Sequence, residues 1–247
     1  MTSQPQIEIT FWGHACIGVH VDHAPLLLID PFDPKGLGGI AGPSPIPTAY
    51  PYVIATHDHS DHAAFHTQPQ AKVLHATTQE TPLSLPTQGL EIHARRVAHD
   101  EFGGRLRGGT TLILDIRIAG RRLVHCGDAG ERLHGPTLSW LQEPRPDVLV
   151  VPAGGYFTIG ADGAATLASE VQPRHVLFCH TRDDGLPLPQ MDGRAVIQRR
   201  TAAWPQTEAT SLTLTPTPPT SSAEADVHVV WLTRPDGLPF TPSNQHG

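Results

Sequence analysis

The sequence predicts an α/β fold in which strands outnumber helices. Apolar residues gather into short runs such as Leu26-Leu27-Leu28-Ile29, Val148-Leu149-Val150-Val151 and Val176-Leu177-Phe178-Cys179. The first two runs are bounded by Pro and Asp and the third by histidines, a pattern of short buried strands. Helix signals are fewer and fall between the runs. No repeat of fixed period occurs, and no shift in composition divides the 247 residues, so one domain over residues 1–247 is expected. A hydrophobic content of 38% is low, yet its clustering permits a sizeable core.

The elements follow in order. Ile7 to Trp12 and Cys16 to Val21 read as strands joined by the turn Gly13-His14-Ala15, and Leu26 to Asp30 as a third strand. Residues 31–51 are rich in Gly and Pro and read as a loop, either a cover for a pocket or a tolerated insertion. Tyr52-Val53-Ile54-Ala55 is a strand running directly into a histidine-rich stretch, after which Ala63 and Ala64 begin a helical turn and Ala71 to His75 returns as strand. Glu91 to Ala98 and Thr110 to Ile118 are strands flanking the loop Asp100 to Gly104. Arg121 to Cys126 is the next strand, and Gly127 lets the chain turn so that Asp128 stands at its end.

Pro136 suits the first turn of a short helix ending near Glu143. Asp147 to Pro152 is a strand, and the glycine-bearing loop Gly154 to Gly160 after it exposes Tyr156 and Thr158. Asp162 reads as the N-cap of a helix over Ala164 to Val171, and Arg174 to Cys179 as the strand that delivers His180. Asp192 or Gly193 begins a helix over Arg194 to Ala203, stopped by Pro205. Thr, Pro and Ser then dominate to Ala225, with a further strand at Ser211 to Thr215. Residues from about 216 to 225 and the tail from 239 are expected to be mobile, and Val227 to Leu232 to close a sheet edge.

A formal net charge of −7 argues against nonspecific attraction to phosphate backbones, so a small-molecule substrate is expected rather than nucleic acid. The three cysteines, Cys16, Cys126 and Cys179, lie inside apolar strands and read as small buried hydrophobes, which fits a cytoplasmic location. No basic segment followed by an apolar one opens the chain and no run of about 18 apolar residues occurs, so neither export nor a membrane partner is expected. Assembly into a homo-oligomer stays open.

The chemistry concentrates in Thr56-His57-Asp58-His59-Ser60-Asp61-His62. Three imidazoles and two carboxylates this close are costly to desolvate unless a divalent metal satisfies them. At a strand end His57 and His59 project to one side and can grip one ion, while Asp61 and His62 on the next turn can face a second.

This stretch resembles the metal-binding signature of the metallo-β-lactamase superfamily. Gly13-His14-Ala15, Ile29-Asp30-Pro31 and the loop from Pro152 to Gly160 resemble most its small branch of ascorbate-6-phosphate lactonase-like and related hydrolases. The resemblance spans roughly residues 7 to 200 and implies a four-layer αββα sandwich with all ligands on loops at one sheet edge. It also implies further ligands: His99 as third histidine, Asp128 as bridging carboxylate and His180 as last histidine. One ion would then take His57, His59 and His99, and the other Asp61, His62 and His180, with Asp128 shared. His93 competes with His99 but lies mid-strand, whereas the family's ligand ends its strand. Asp30 is expected to orient a ligand imidazole. His14 is either a pocket or supporting group or an ordinary turn histidine, and Tyr156 either donates to substrate or packs under its loop. Ala129 stands where the family has a hydroxyl residue, so that hydrogen bond must come from elsewhere.

The implied cofactor is a pair of divalent ions, zinc first, with manganese or iron also compatible. A water bridging them would be deprotonated near neutral pH and act as nucleophile, with Asp61 orienting it or accepting its proton. The implied activity is metal-dependent hydrolysis of a small ester, lactone or phosphorylated metabolite. A phosphodiesterase or nuclease using the same metals, and a non-catalytic metal-binding sensor, are the alternatives.

Overall fold

The computed structural model describes residues 5–33, 45–76, 78, 82–106, 109–181, 193–214 and 227–236. Within them the chain forms β1 (Ile7–Gly13), β2 (Cys16–Val21), β3 (Ala24–Ile29), β4 (Tyr52–Ile54), β5 (Lys72–Leu74), β6 (Leu83–Leu85), β7 (Leu90–Ala98), β8 (Thr110–Ile118), β9 (Arg121–His125), α1 (Gly135–Gln142), β10 (Val148–Pro152), α2 (Ala161–Val171), β11 (His175–Cys179), α3 (Arg194–Arg200), β12 (Gln206–Ala209), β13 (Ser211–Leu214) and β14 (His228–Leu232). Short 3-10 helices occupy Phe65–Thr67 and Pro86–Gln88.

The strands form two mixed sheets, ordered β13-β1-β2-β3-β4-β5 and β12-β14-β11-β10-β9-β8-β7-β6. Strand alternation decides what each face covers. Ile7, Ile9, Ile17, Val19, Leu27 and Ile29 of the first sheet meet Leu114, Ile116, Val148, Val150 and Leu177 of the second in a central core. Burying each such side chain stabilises by about 1.5–3 kcal/mol. The alternate residues Val124, Leu149, Val151, Val176 and Phe178 face outward and are covered by Leu141 of α1, Ala164, Leu167, Ala168 and Val171 of α2, and Ile197 of α3. Central strands covered on both faces are why β10 and β11 read as unbroken apolar runs. The outer face of the first sheet, with Trp12, Leu28 and Val53, is packed by Phe32, Ile46, Tyr50 and Phe65, so among the described residues loop and 3-10 segments cover it. The two packed sheets of the expected αββα sandwich are present with a helical layer over the second sheet, whereas the layer over the first consists, among the described residues, of loop and 3-10 segments.

Several local expectations need correction. Val227 to Leu232 was expected at a sheet edge, but β14 lies between β11 and β12, and β12 is the edge strand. β12 is Gln-Thr-Glu-Ala and largely exposed, so it carries no apolar signal. The extended residue before α2 is Gly160; Asp162 sits in the first turn, where the helix dipole favours its charge, and pairs with Arg200 at 2.9 Å. α3 ends at Arg200, three residues earlier than expected, and Thr158 is buried rather than exposed. The expected segments at about 216–225 and beyond 239, and most of the loop at 31–51, lie outside the described residues. All three cysteines are buried, and no helix among the described residues is long and apolar enough to cross a membrane.

Candidate metal centre

The site is assembled from strand ends. His14 follows β1, Asp30 follows β3, the stretch 56–62 follows β4, His99 follows β7, Asp128 lies three residues beyond β9, and His180 follows β11. β3 and β4 are parallel, as are β9, β10 and β11, so their carboxyl ends open together. Two links hold the loops: Leu112 N–H donates to the Thr56 carbonyl at 2.9 Å, and His180 N–H to the His14 carbonyl at 2.8 Å.

Backbone strain collects at the same positions. His14, Asp30 and His180 have φ of 58°, 51° and 55°, a left-handed conformation that costs a non-glycine residue roughly 1–2 kcal/mol. Such strain persists where surrounding contacts over-determine it. Gly127 meets the same demand without a side chain: at φ +53°, an added Cβ would lie 2.4 Å from Thr111 Oγ1 and 2.7 Å from the Leu112 carbonyl.

The donors fall into two groups joined by one carboxylate. His57 Nε2 lies 3.0 Å from His59 Nδ1 and 3.2 Å from His99 Nε2. His14, Asp61, His62 and His180 form a second group whose ligand atoms are all within 4.8 Å of one another. Asp128 Oδ2 lies 3.1 Å from His180 Nε2, 3.2 Å from His62 Nε2 and 3.3 Å from His99 Nε2, between the groups. The structure thus brings together all seven ligands expected from the sequence and adds His14. His93, which competed with His99, stays on β7 beside Glu91 at 4.0 Å, away from the cluster.

Asp30 sets the direction of two imidazoles. It is fully buried; its Oδ1 accepts Thr56 N–H at 2.7 Å, and its Oδ2 accepts the Thr56 hydroxyl and His62 Nδ1–H, each at 2.9 Å. The Thr56 hydroxyl, committed as donor to Asp30, accepts His57 Nδ1–H at 3.0 Å. His57 and His62 therefore both carry the proton on Nδ1 and turn the Nε2 lone pair inward. Thr111 supplies the hydroxyl absent at Ala129: its buried Oγ1 accepts Asp128 N–H at 3.3 Å. Thr111 carries no motif and was missed. Asp100 was also missed; its carboxylate accepts the backbone N–H groups of Phe102, Gly104 and Leu106 at 2.8–2.9 Å and fixes the loop after His99.

The groups set one another's charge. Burial opposes ionisation of Asp128, but His180 and His62 beside it hold the carboxyl well below the usual range. Burial opposes the charge on Asp61 too, and His62 and His14 outweigh it and depress the pKa. Burial lowers His62, yet Asp128, Asp30 and Asp61 raise it well above 6.5. Burial, with His62 nearby, pulls His57 down to about 3, and burial with His180 pulls His14 down to about 4.

The donor set fits divalent cations. Ring nitrogens of His57, His59 and His99 converge to within 4.8 Å of one another, and Asp128 Oδ1 is buried without a hydrogen-bond partner. Converging lone pairs beside buried carboxylates ask for positive charge. Beyond Asp100 a cleft of about 890 Å³ opens, lined by Phe102, Glu131, Arg132, Tyr156, Phe157 and Glu170 among others. Tyr156 is half exposed there, its ring edge-on to Phe157 at 4.6 Å.

A His/Asp cluster at the strand ends of a two-sheet α/β sandwich defines the metallo-β-lactamase class of fold and site. Residues 8–180, well over half the chain, match the family model described as the beta-lactamase superfamily domain, and the chain belongs to that superfamily. A UPF0173 metal-dependent hydrolase from Symbiobacterium thermophilum is 28% identical over 225 residues, covering 80% of this chain and 94% of that protein. A second one, from Natranaerobius thermophilus, is 25% identical over 190 residues, covering 70% and 83%. The solved structure of a metallo hydrolase from Ignicoccus hospitalis superposes with a TM-score of 0.62 at 18% identity, over 93% of this chain and 96% of that one.

Proposed function

We infer that the protein is a metal-dependent hydrolase that acts on a small neutral ester or lactone. The observation that carries this reading is Asp128 Oδ2, a buried carboxylate oxygen 3.1–3.3 Å from three imidazole nitrogens and shared by two donor groups. His57, His59 and His99 would hold one divalent cation and Asp61, His62 and His180 the other, with Asp128 bridging; zinc is the first candidate, and manganese and iron suit the same donors. Bound there, the cations supply an acidified water and polarise the substrate's carbonyl.

The chain's residues do the rest. Asp30, directly and through Thr56, keeps the His62 and His57 lone pairs turned toward the cations. Asp61, held ionised and 15% exposed at its side chain, would orient the attacking water by accepting its hydrogen bond, since its depressed pKa makes it a weak proton acceptor. Tyr156, half exposed and lining the cleft, would donate its hydroxyl to a substrate bound there. Glu101, Glu131 and Glu170 line the cleft against Arg132, which is itself paired to Glu170 at 2.7 Å. None of the proposed metal ligands lines that cleft, so the ranking of an ester or lactone above a phosphorylated metabolite or a phosphodiester rests on the net charge of −7, which disfavours polyanions.

Turnover on a panel of lactone, carboxylic ester, thioester and phosphodiester tests the reading. Ester or lactone hydrolysis that disappears on chelation and returns with metal is expected. A metal-filled protein that turns over no member of the panel would leave the sensor alternative standing.

A further inference from the structure

Two fully buried histidines at neighbouring strand ends use their ring nitrogens differently. His125 is satisfied by backbone: Nε2 donates to the Ala15 carbonyl at 2.9 Å, and Nδ1 accepts Gly127 N–H at 3.0 Å. His14 has no such partners among the described residues. Its Nδ1 is buried without a hydrogen bond, and its Nε2 faces only Asp61 Oδ2 at 3.0 Å and His62 Nε2 at 3.2 Å.

Those separations are informative. With metal–donor distances of about 2.1 Å, neighbouring donors stand about 3.0 Å apart around an octahedral ion and about 3.4 Å apart around a tetrahedral one. His14 Nε2 therefore stands from Asp61 and His62 as a donor sharing their ion would stand. The backbone supports this placement: His14 is held at φ 58°, its carbonyl accepts His180 N–H at 2.8 Å, and its ring lies 4.1 Å from the His180 ring.

We propose that His14 is a direct ligand of the second cation, alongside Asp61, His62, His180 and the shared Asp128. This rests on the two-cation reading above. The second subsite then offers five chain donors, two of them carboxylates, whereas the first offers three histidines and Asp128. Five donors including hard oxygens suit a cation that takes six ligands, such as Mn²⁺ or Fe²⁺, and four suit tetrahedral Zn²⁺. The protein distinguishes its two cations by coordination number.

The competing arrangement is a His14 that donates Nε2–H to Asp61 and only positions it. His14→Gln separates the two, because it keeps an N–H donor for Asp61 and removes the imidazole ligand. The full chain, stripped and reloaded with Mn²⁺, is titrated against a competing chelator, and the reloaded wild type is crystallised. The expected result is His14 Nε2 about 2.0–2.3 Å from a cation, with second-cation affinity reduced more than about 100-fold in both His14→Ala and His14→Gln, beyond what supporting residues contribute. A wild type with two cations and His14 bonded only to Asp61 overturns the assignment, as does a His14→Gln protein within tenfold of wild-type affinity. A wild type that saturates at one cation overturns the two-cation reading with it. The wild-type structure decides the matter even if a variant fails to fold.

Discussion

Replacing Asp30 by Asn changes one atom and should disarm two ligands. In the wild type, Asp30 Oδ2 accepts from both the Thr56 hydroxyl and His62 Nδ1–H at 2.9 Å, while Oδ1 accepts Thr56 N–H at 2.7 Å. An Asn side chain keeps its oxygen for the Thr56 N–H and turns an NH₂ toward the other two groups, which are themselves donors. His62 can then form a bond only by moving its proton to Nε2, and Thr56 only by accepting, which frees its hydroxyl proton to turn toward His57 Nδ1 and no longer holds the ring proton there. Both inward lone pairs are lost or left unsupported. Losing a buried charge-assisted hydrogen bond costs about 1.5–3 kcal/mol, and loss of a supporting partner reduces metal affinity about 10–100-fold. Asp30→Asn should therefore lower the stability of the stripped protein by about 2–3 kcal/mol in urea denaturation, and weaken cation binding by at least about tenfold in chelator competition. A variant that binds both cations with wild-type affinity would refute the tautomer argument, whatever its stability.

Four other outcomes follow from the same geometry. Asp128→Asn should drop metal content from near two per chain toward one, read by elemental analysis, because an amide bridges two cations poorly. His99→Ala should abolish most activity and His93→Ala leave it nearly intact, since only His99 reaches His57, at 3.2 Å; reversed behaviour would overturn the choice. Gly127→Ala should destabilise by about 2–5 kcal/mol in thermal or urea unfolding, combining left-handed strain with a Cβ placed 2.4 Å from Thr111 Oγ1.

The fourth outcome concerns pH. His57 and His14, lowered to about 3 and about 4, refuse a proton that the unfolded chain accepts near 6.5. Each therefore removes up to about 1.4 kcal/mol of stability per pH unit as pH falls from 6.5 toward those values. Asp61 and Asp128, both depressed, add to the loss below their ordinary range. His62 has the opposite sign: its raised pKa stabilises fully below 6.5, and that contribution fades as pH rises through the folded value. The urea midpoint of the stripped protein should fall between pH 6.5 and 4, while cation affinity should rise with pH as the metal displaces the His62 proton.

Much of this was legible in the chain because strands write their burial locally. Runs such as Val148 to Val151 announce strands covered on both faces, and a histidine block directly after an apolar strand announces a site at its end. β12 was illegible for the same reason: Gln206 to Ala209 is largely exposed and takes strand form only because β14 lies alongside to pair with it. Edge strands receive their structure from a neighbour, and their sequence need not encode it.

The sequence by itself placed His57, His59, Asp61 and His62 within six positions after a strand, and its resemblance to the superfamily implied His99, Asp128 and His180 and the sharing of ligands between two ions. Only the tertiary structure decided what stands around them. Joining β1 to β11 through the bond from His180 N–H to the His14 carbonyl brought a turn histidine into the second group of donors. Packing β8 against the β4 loop put Thr111 where Ala129 offers no hydroxyl. Those contacts join residues 17 to 166 positions apart in the chain, from Thr111 to Asp128 and from His14 to His180. No local pattern carries such pairings, because they arise when two sheets close on a common core and their strand ends meet.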